Sequence, residues 1–183
     1  MAVMAIPEGR ASEIVALESS GTEALEGLFV GLVRDYHRRI YNYLLRLVGE
    51  EVLAEDLTQD TFLRAFRGLP KLPPGANYRA WLFRIATNAA TDELRRRKRR
   101  PLVALGPFLR APGTSEDQRL GEVVLNQGLL AIAPNHREIL MLFELAEFSA
   151  PEVAEVLRIS PEAARKRRQR AREALARELR ARA

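Results

Sequence analysis

Residues 78–100 read YRAWLFRIATNAATDELRRRKRR, and this stretch decides the architecture. Tyr78, Trp81, Leu82, Ile85, Ala86, Ala89 and Leu94 recur mostly at spacings of three and four, which marks one apolar face of a helix. Asn77 stands just ahead of it, where a side-chain oxygen can accept an unpaired N–H of the first turn, so it is the predicted N-cap. The helix then runs into six consecutive basic residues, Arg95–Arg100. A buried face and a cationic end on one helix join a core to a polyanion surface.

Upstream, Pro70, Pro73, Pro74 and Gly75 force a loop before Asn77. Leu53, Leu57, Phe62, Ala65, Phe66 and Leu69 form an apolar stripe and predict a helix over 51–69. Between Thr22 and Val48, apolar residues from Leu25 to Leu47 recur at helical spacing, which predicts one long helix or two abutting ones. The first 20 residues carry no strong pattern and are expected to fray.

Downstream, residues 101–115 contain Pro101, Gly106, Pro107, Pro112 and Gly113. These breakers exclude a helix and predict a linker, which spans about 50 Å when extended. Its apolar residues, Leu102, Val103, Leu105, Phe108 and Leu109, point to packing on a neighbour or in a partner's groove. Ser115 is the expected cap of a helix over 116–132, which Pro134 closes, and a further helix is expected over 135–146. Ser149 and Glu152 match a capping box opening a short helix over 150–157. After a turn at 158–160, Ser160 and Pro161 open the last helix. No run alternates with period two. The expected fold is all-α: two small helical domains, 22–100 and 116–183, joined by the Pro/Gly-containing linker 101–115.

Charge sharpens this reading. The chain has 183 residues and a net charge of +5. Residues 1–94 carry ten basic and thirteen acidic side chains, and 101–157 carry three and eight. The cationic excess sits in 95–100, with six basic residues, and in 158–183, with ten basic and three acidic. Two separate polyanion grips on an otherwise acidic protein point to nucleic acid, with an anionic membrane surface as the rival. There is no cysteine and there are two histidines, so neither a thiolate site nor a histidine-rich metal centre is expected. No apolar run reaches the roughly 20 residues of a membrane span and no signal peptide is evident, so a cytoplasmic protein is expected.

The last 34 residues follow a helix-turn-helix pattern. Val153, Leu157 and Ile159 fall where two helices cross, and Ala154 permits their close approach. The second helix presents Arg165, Lys166, Arg167, Arg168, Arg170 and Arg172, and such a helix fits the major groove. Residues 161–172 hold no bulky apolar side chain to bury in a membrane, which counts against the rival.

Two longer motifs add specificity. Residues 54–62, AEDLTQDTF, and 78–96 resemble region 2 of bacterial sigma factors, closest to the two-domain extracytoplasmic-function group, whose patterns run A-E-D-L-x-Q-[DE]-x-F and F-x-A-W-L-x-x-I-A-x-N-x-x-x-D-x-x-R-R. Tyr78 replaces the usual Phe. The last 50 residues resemble region 4 of the same group.

This resemblance implies a sigma factor, not an enzyme, that needs no cofactor or metal. It implies core RNA polymerase (β′ clamp helices and β subunit), promoter DNA and an anti-sigma factor as partners. By the same resemblance Asp56, Gln59 and Asp60 dock on polymerase. Asn88 and Asp92 read the −10 element, beside a grip on phosphates by Arg95 and Arg96. Arg165, Lys166, Gln169 and Arg170 contact the −35 element. The group's T-V-x-S-R-L-x-R-A-R reads AARKRRQRAR over 163–172, so its Thr and Ser contacts are absent. Arg168 takes an apolar position, with its stem expected on the core and its guanidinium in water. Arg158 takes a turn position where Gly is common. A free-standing helix-turn-helix regulator is the alternative. A nuclease is disfavoured, because the carboxylates lie mainly away from the basic segments.

Overall fold

The computed structural model describes residues 8–98 and 116–182, so the predicted linker and the Ser115 cap lie outside the described residues. Among the described residues all regular structure is helical. The order is α1 (Glu8–Val48), α2 (Glu51–Gly68), a 3₁₀ turn (Leu69–Lys71), α3 (Tyr78–Lys98), α4 (Glu116–Ala131), α5 (Pro134–Leu140), a π-helical turn (Met141–Leu145), α6 (Ala150–Leu157) and α7 (Pro161–Arg180).

Helix α1 is a single helix, and it begins at Glu8 rather than near Thr22. Ala11, Glu13, Ala16, Leu17 and Glu18 are strong helix formers, so propensity extends the helix where no apolar stripe signals it. Helix α2 buries Leu53, Ala54, Leu57, Phe62 and Ala65. Thr58 and Thr61 are also buried, and their hydroxyls donate to the carbonyls of Ala54 (2.6 Å) and Leu57 (2.7 Å). This back-bonding satisfies both hydroxyls without an outside partner. Phe66 departs from the expected stripe. It is 51% exposed, edge-on to Phe29 at 5.0 Å between centroids. Phe62, Ala65 and Leu69 take the inward positions, and the helical turn carries Phe66 past the edge of that face.

Helix α3 starts as expected, with the Asn77 side-chain oxygen accepting from the N–H of Ala80 at 3.1 Å. Its inner face, with Leu82 and Phe83, meets Ile40, Tyr43 and Leu44 of α1. The Tyr43 hydroxyl lies 2.7 Å from that of Thr87 in this core. Trp81 is half-buried. A Cβ at Gly68 would lie 3.0 Å from the indole ring, so a larger residue there would press on the ring that packs over the end of α2.

In the second half, the segment expected as one helix over 135–146 is helical without a break from Pro134 to Leu145, but it changes width on the way. Helix α5 ends at Leu140 and the wider π turn follows. The widened turn keeps Phe143 inside and leaves Glu144 and Leu145 exposed. The Glu152 carboxylate accepts from the Ser149 N–H (2.8 Å) and hydroxyl (2.6 Å), which opens α6. The Ser160 hydroxyl accepts from the N–H of Ala163 at 3.1 Å and opens α7. Between them Arg158 is left-handed, with φ 52° and ψ 49°.

The two halves share one core. Helix α6 packs on α3, and α4 and α5 pack on the end of α1. Phe83 of α3 meets Phe148 edge-on at 5.0 Å. The buried Arg137 guanidinium donates to the carbonyls of Leu129 (2.7 Å), Leu130 (2.9 Å) and Ile132 (3.4 Å), and across the junction to that of Leu47.

Candidate nucleic-acid interface

Three helices carry the residues singled out from the sequence. On α2, Asp56 and Gln59 are exposed and adjacent on one face, as their spacing requires. Asp60 stands one step aside, half-buried, and pairs with Arg64 at 2.8 Å. The same face holds more than the sequence reading assigned to it. Val52, Asp56, Gln59, Leu63 and Phe66 follow one another at steps of four, three, four and three. The three apolar members are 65%, 57% and 51% exposed. Alternating steps of four and three make a seam that fits another helix. The four–three spacing is present in the sequence, but there Phe66 also falls on the apparent inward stripe of α2, which obscures it.

On α3, Arg84, Asn88, Asp92 and Arg95 stand at steps of four, four and three and share a face. Asn88, Asp92 and Arg95 are exposed, and Arg95 lies 3.7 Å from Asp92. Arg96 turns aside to Glu93 at 2.8 Å, and Arg97 reaches Glu93 (2.9 Å) and Glu50 (2.5 Å). The hydrogen bond from Arg96, with that from Arg97 behind it, holds the Glu93 carboxyl below its usual range. The basic end of α3 is therefore part neutralised. Arg99 and Arg100 lie outside the described residues.

On α7, Arg165, Lys166, Gln169 and Arg170 are all exposed, while Ala164, Ala171 and Ala174 face inward. Lys166 pairs with Glu162 (2.6 Å) and Gln169 donates to Glu173 (2.9 Å) within the helix. The Arg168 side chain remains 34% exposed, and its guanidinium also finds protein partners. Its guanidinium lies 4.6 Å over the Phe143 ring and 3.0 Å from Glu144, which also holds Arg172 at 3.0 Å. A flat cation on an aromatic face substitutes for the apolar residue that position otherwise takes. The small residues Val153 and Ala154 are buried where α6 meets α7.

The arrangement offers a helical docking seam, a polar and cationic row on α3, and an exposed cationic recognition helix. Among the described residues no cluster of His, Asp or Glu is placed to hold a metal ion. No helix among them is long and apolar enough to cross a membrane.

Comparison with known proteins gives this geometry its context. Residues 32–100 match the family model for Sigma-70 region 2, and residues 125–175 match that for Sigma-70, region 4. The chain is 32% identical over 177 residues to ECF RNA polymerase sigma factor SigE of Mycolicibacterium smegmatis, spanning 92% of this chain and 68% of that protein. It is 35% identical over 158 residues to RNA polymerase sigma factor CarQ of Myxococcus xanthus, spanning 84% and 90%. The fold is similar to that of the sigma factor RpoE of Bartonella quintana, solved with the anti-sigma factor NepR (TM-score 0.72, 23% identity, 83% and 96% covered). It is also similar to CnrH, solved with the cytosolic domain of CnrY (TM-score 0.67, 29% identity, 87% and 94% covered).

Proposed function

Since the chain belongs to the extracytoplasmic-function group of sigma-70 RNA polymerase sigma factors, we propose how its helices divide the work of promoter recognition and transcription initiation. The α2 seam docks on core RNA polymerase. Val52, Leu63 and Phe66 supply the apolar area, and Asp56 and Gln59 the polar register. Asp60 flanks them and is steered by Arg64. The observation that carries this reading is the four–three row itself. Three large apolar side chains exposed in one line on a soluble helix call for a partner, and the spacing calls for a helical one.

On α3, Asn88 and Asp92 read exposed base edges of the −10 element, and Arg95 and Arg96 hold phosphates beside the opened strand. The Pro-rich loop over 70–77 is stiff enough to frame a pocket for a base pulled from the stack. On α7, Arg165, Lys166, Gln169 and Arg170 enter the −35 major groove. Arg168 and Arg172 are tied to Glu144 and serve the fold. The chain carries no catalysis of its own; RNA synthesis belongs to the polymerase. An anti-sigma partner completes the picture; the structurally similar CnrH was solved bound to the cytosolic domain of CnrY.

Purified with core polymerase, the chain is expected to direct initiation to discrete sites on a genomic template. Asp56→Arg is expected to weaken polymerase binding at least tenfold, a loss of about 1.4 kcal/mol. Its affinity for DNA alone should be unchanged. Diffuse initiation by the unaltered chain, or equal loss of both affinities in the variant, would overturn the assignment.

A further inference from the structure

Arg158 stands in the turn between α6 and α7, in the left-handed region at φ 52° and ψ 49°. Glycine takes this conformation freely, and a residue with a Cβ is strained by it. The backbone explains the shape. The N–H groups of Arg158 and Ile159 both donate to the carbonyl of Ala154 and close the end of α6. That closure uses no atom of the arginine side chain. The residue is exposed, and no carboxylate among the described residues pairs with it. A cation suits the carboxyl end of α6 electrostatically, but glycine would close the helix with less strain. A long charged side chain kept on a strained position points to work outside the fold.

The helix-turn-helix geometry places that work. The second helix of such a pair lies in the major groove with its N-terminal residues at base edges, while the first crosses the backbone. The turn joining them passes the rim of the groove, where the phosphates stand. Helix α6 brings two glutamates, Glu152 and Glu155, and no cation to that crossing. The first turn of α7 adds Glu162, whose carboxylate is paired with Lys166. From Ala150 to Ala164, Arg158 is the only cation. Without it, the part of the domain nearest the rim would meet phosphate with negative charge alone.

We propose that Arg158 is a phosphate contact of the second domain: its guanidinium meets the DNA backbone at the rim of the −35 groove, beside the base-reading residues of α7. This rests on α7 being the helix that enters that groove, as assigned above. A guanidinium offers a planar pair of donors to a phosphate and does so beside any base. Arg158 therefore adds affinity without adding sequence discrimination, and it offsets the repulsion between the backbone and the glutamates of α6.

The test measures binding of the full chain to short fluorescein-labelled duplexes by anisotropy, between about 50 and 200 mM salt. Arg158→Gln removes the charge and keeps a polar side chain. It is expected to weaken binding about threefold to tenfold and to make the slope of log affinity against log salt shallower by about 0.9. Arg177→Gln removes the same charge about 18 Å beyond Arg165 along α7, and its slope should match that of the unaltered chain. The weakening in Arg158→Gln should be equal on two duplexes of unrelated sequence, as a backbone contact requires.

Equal slopes for Arg158→Gln and Arg177→Gln overturn the proposal, because Arg158 then serves net charge or the end of α6. A loss confined to one duplex also overturns it, since that marks a base contact. If circular dichroism finds Arg158→Gln unfolded, Arg158→Gly, which relieves the turn, decides by the same slope. The double variant Arg165→Ala with Lys166→Ala is measured beside them. If it leaves the slope unchanged, the assignment of α7 falls and the proposal with it. If it flattens the slope and the change at Arg158 does not, the contact at the turn falls alone.

Discussion

Two neighbours on α5 show how burial decides what a charged side chain does. Arg137 is 5% exposed, and burial lowers its pKa to about 10, so it keeps its charge at neutral pH. It keeps its place because its donors end on carbonyls of the last turns of α1 and α4 and the turn that follows, groups that a helix end otherwise leaves unpaired. Glu138 has no such match. Burial raises its pKa to about 7, against the lesser pull of Arg167 on α7 and Arg95 on α3, and the Tyr43 ring of α1 lies nearby. Because the folded chain binds this proton more tightly than the unfolded chain, stability falls as pH rises from about 4.5 to about 7. Glu138→Gln should flatten that part of the profile. It should be more stable than the unaltered chain at pH 8 by up to about 3 kcal/mol, read from urea denaturation across pH. Neither role was legible in the sequence. Both residues look like ordinary surface charges of a helix, and only the arrival of α1 and α3 from the other half of the chain makes them otherwise.

At the scale of elements, local chemistry was the legible part. Asn77 and Ser160 cap the helices that their spacing announced, and Glu152 accepts from Ser149 as the capping box requires. Such signals lie within four residues and need no knowledge of the rest of the chain. The failures were of another kind. The π turn at Met141–Leu145 and the outward Phe66 depend on how much of a face the neighbouring helix can cover, which period-counting does not measure. The site divides in the same way. The polar residues of the α2 row stand out in its motif, whereas the apolar ones do not, because Phe66 lies one step from the inward Phe62 and Ala65 and period alone does not separate them. At the helix-turn-helix turn, Arg158 adopts a left-handed conformation that costs a side-chain-bearing residue about 1–2 kcal/mol. Glycine there loses some of that gain to its freer unfolded chain. Arg158→Gly should therefore raise stability by about 0.5–1 kcal/mol, seen as a higher midpoint in thermal denaturation. DNA affinity should change only through the lost charge.

Over the whole molecule, the net charge of +5 is the residue of opposed patches. The cations of α7 line one exposed helix, while those at the end of α3 are shared with Glu93 and Glu50. Duplex binding should then draw its salt dependence mainly from the second domain. Each phosphate neutralised contributes about −0.9 to the slope of log affinity against log salt. Arg165→Ala with Lys166→Ala should make that slope shallower by about 1–2, measured by fluorescence anisotropy on a promoter duplex, and an unchanged slope would place the phosphate grip elsewhere. The junction between the halves is the part of the fold least visible in the sequence, since a proline-rich linker reads the same whether the domains it joins embrace or drift apart.

Trp81, the single tryptophan of the chain, lies half-buried against Gly68, at the point where α2 gives way to the Pro-rich loop. Indole emission shifts to the blue as water is excluded from the ring and is quenched when a nucleobase stacks on it. The molecule thus carries its own optical reporter at the doorway through which a strand would enter. The natural sequence, unlabelled and unmutated, can be watched in a stopped-flow instrument as single-stranded DNA is added, with no second indole to blur the signal.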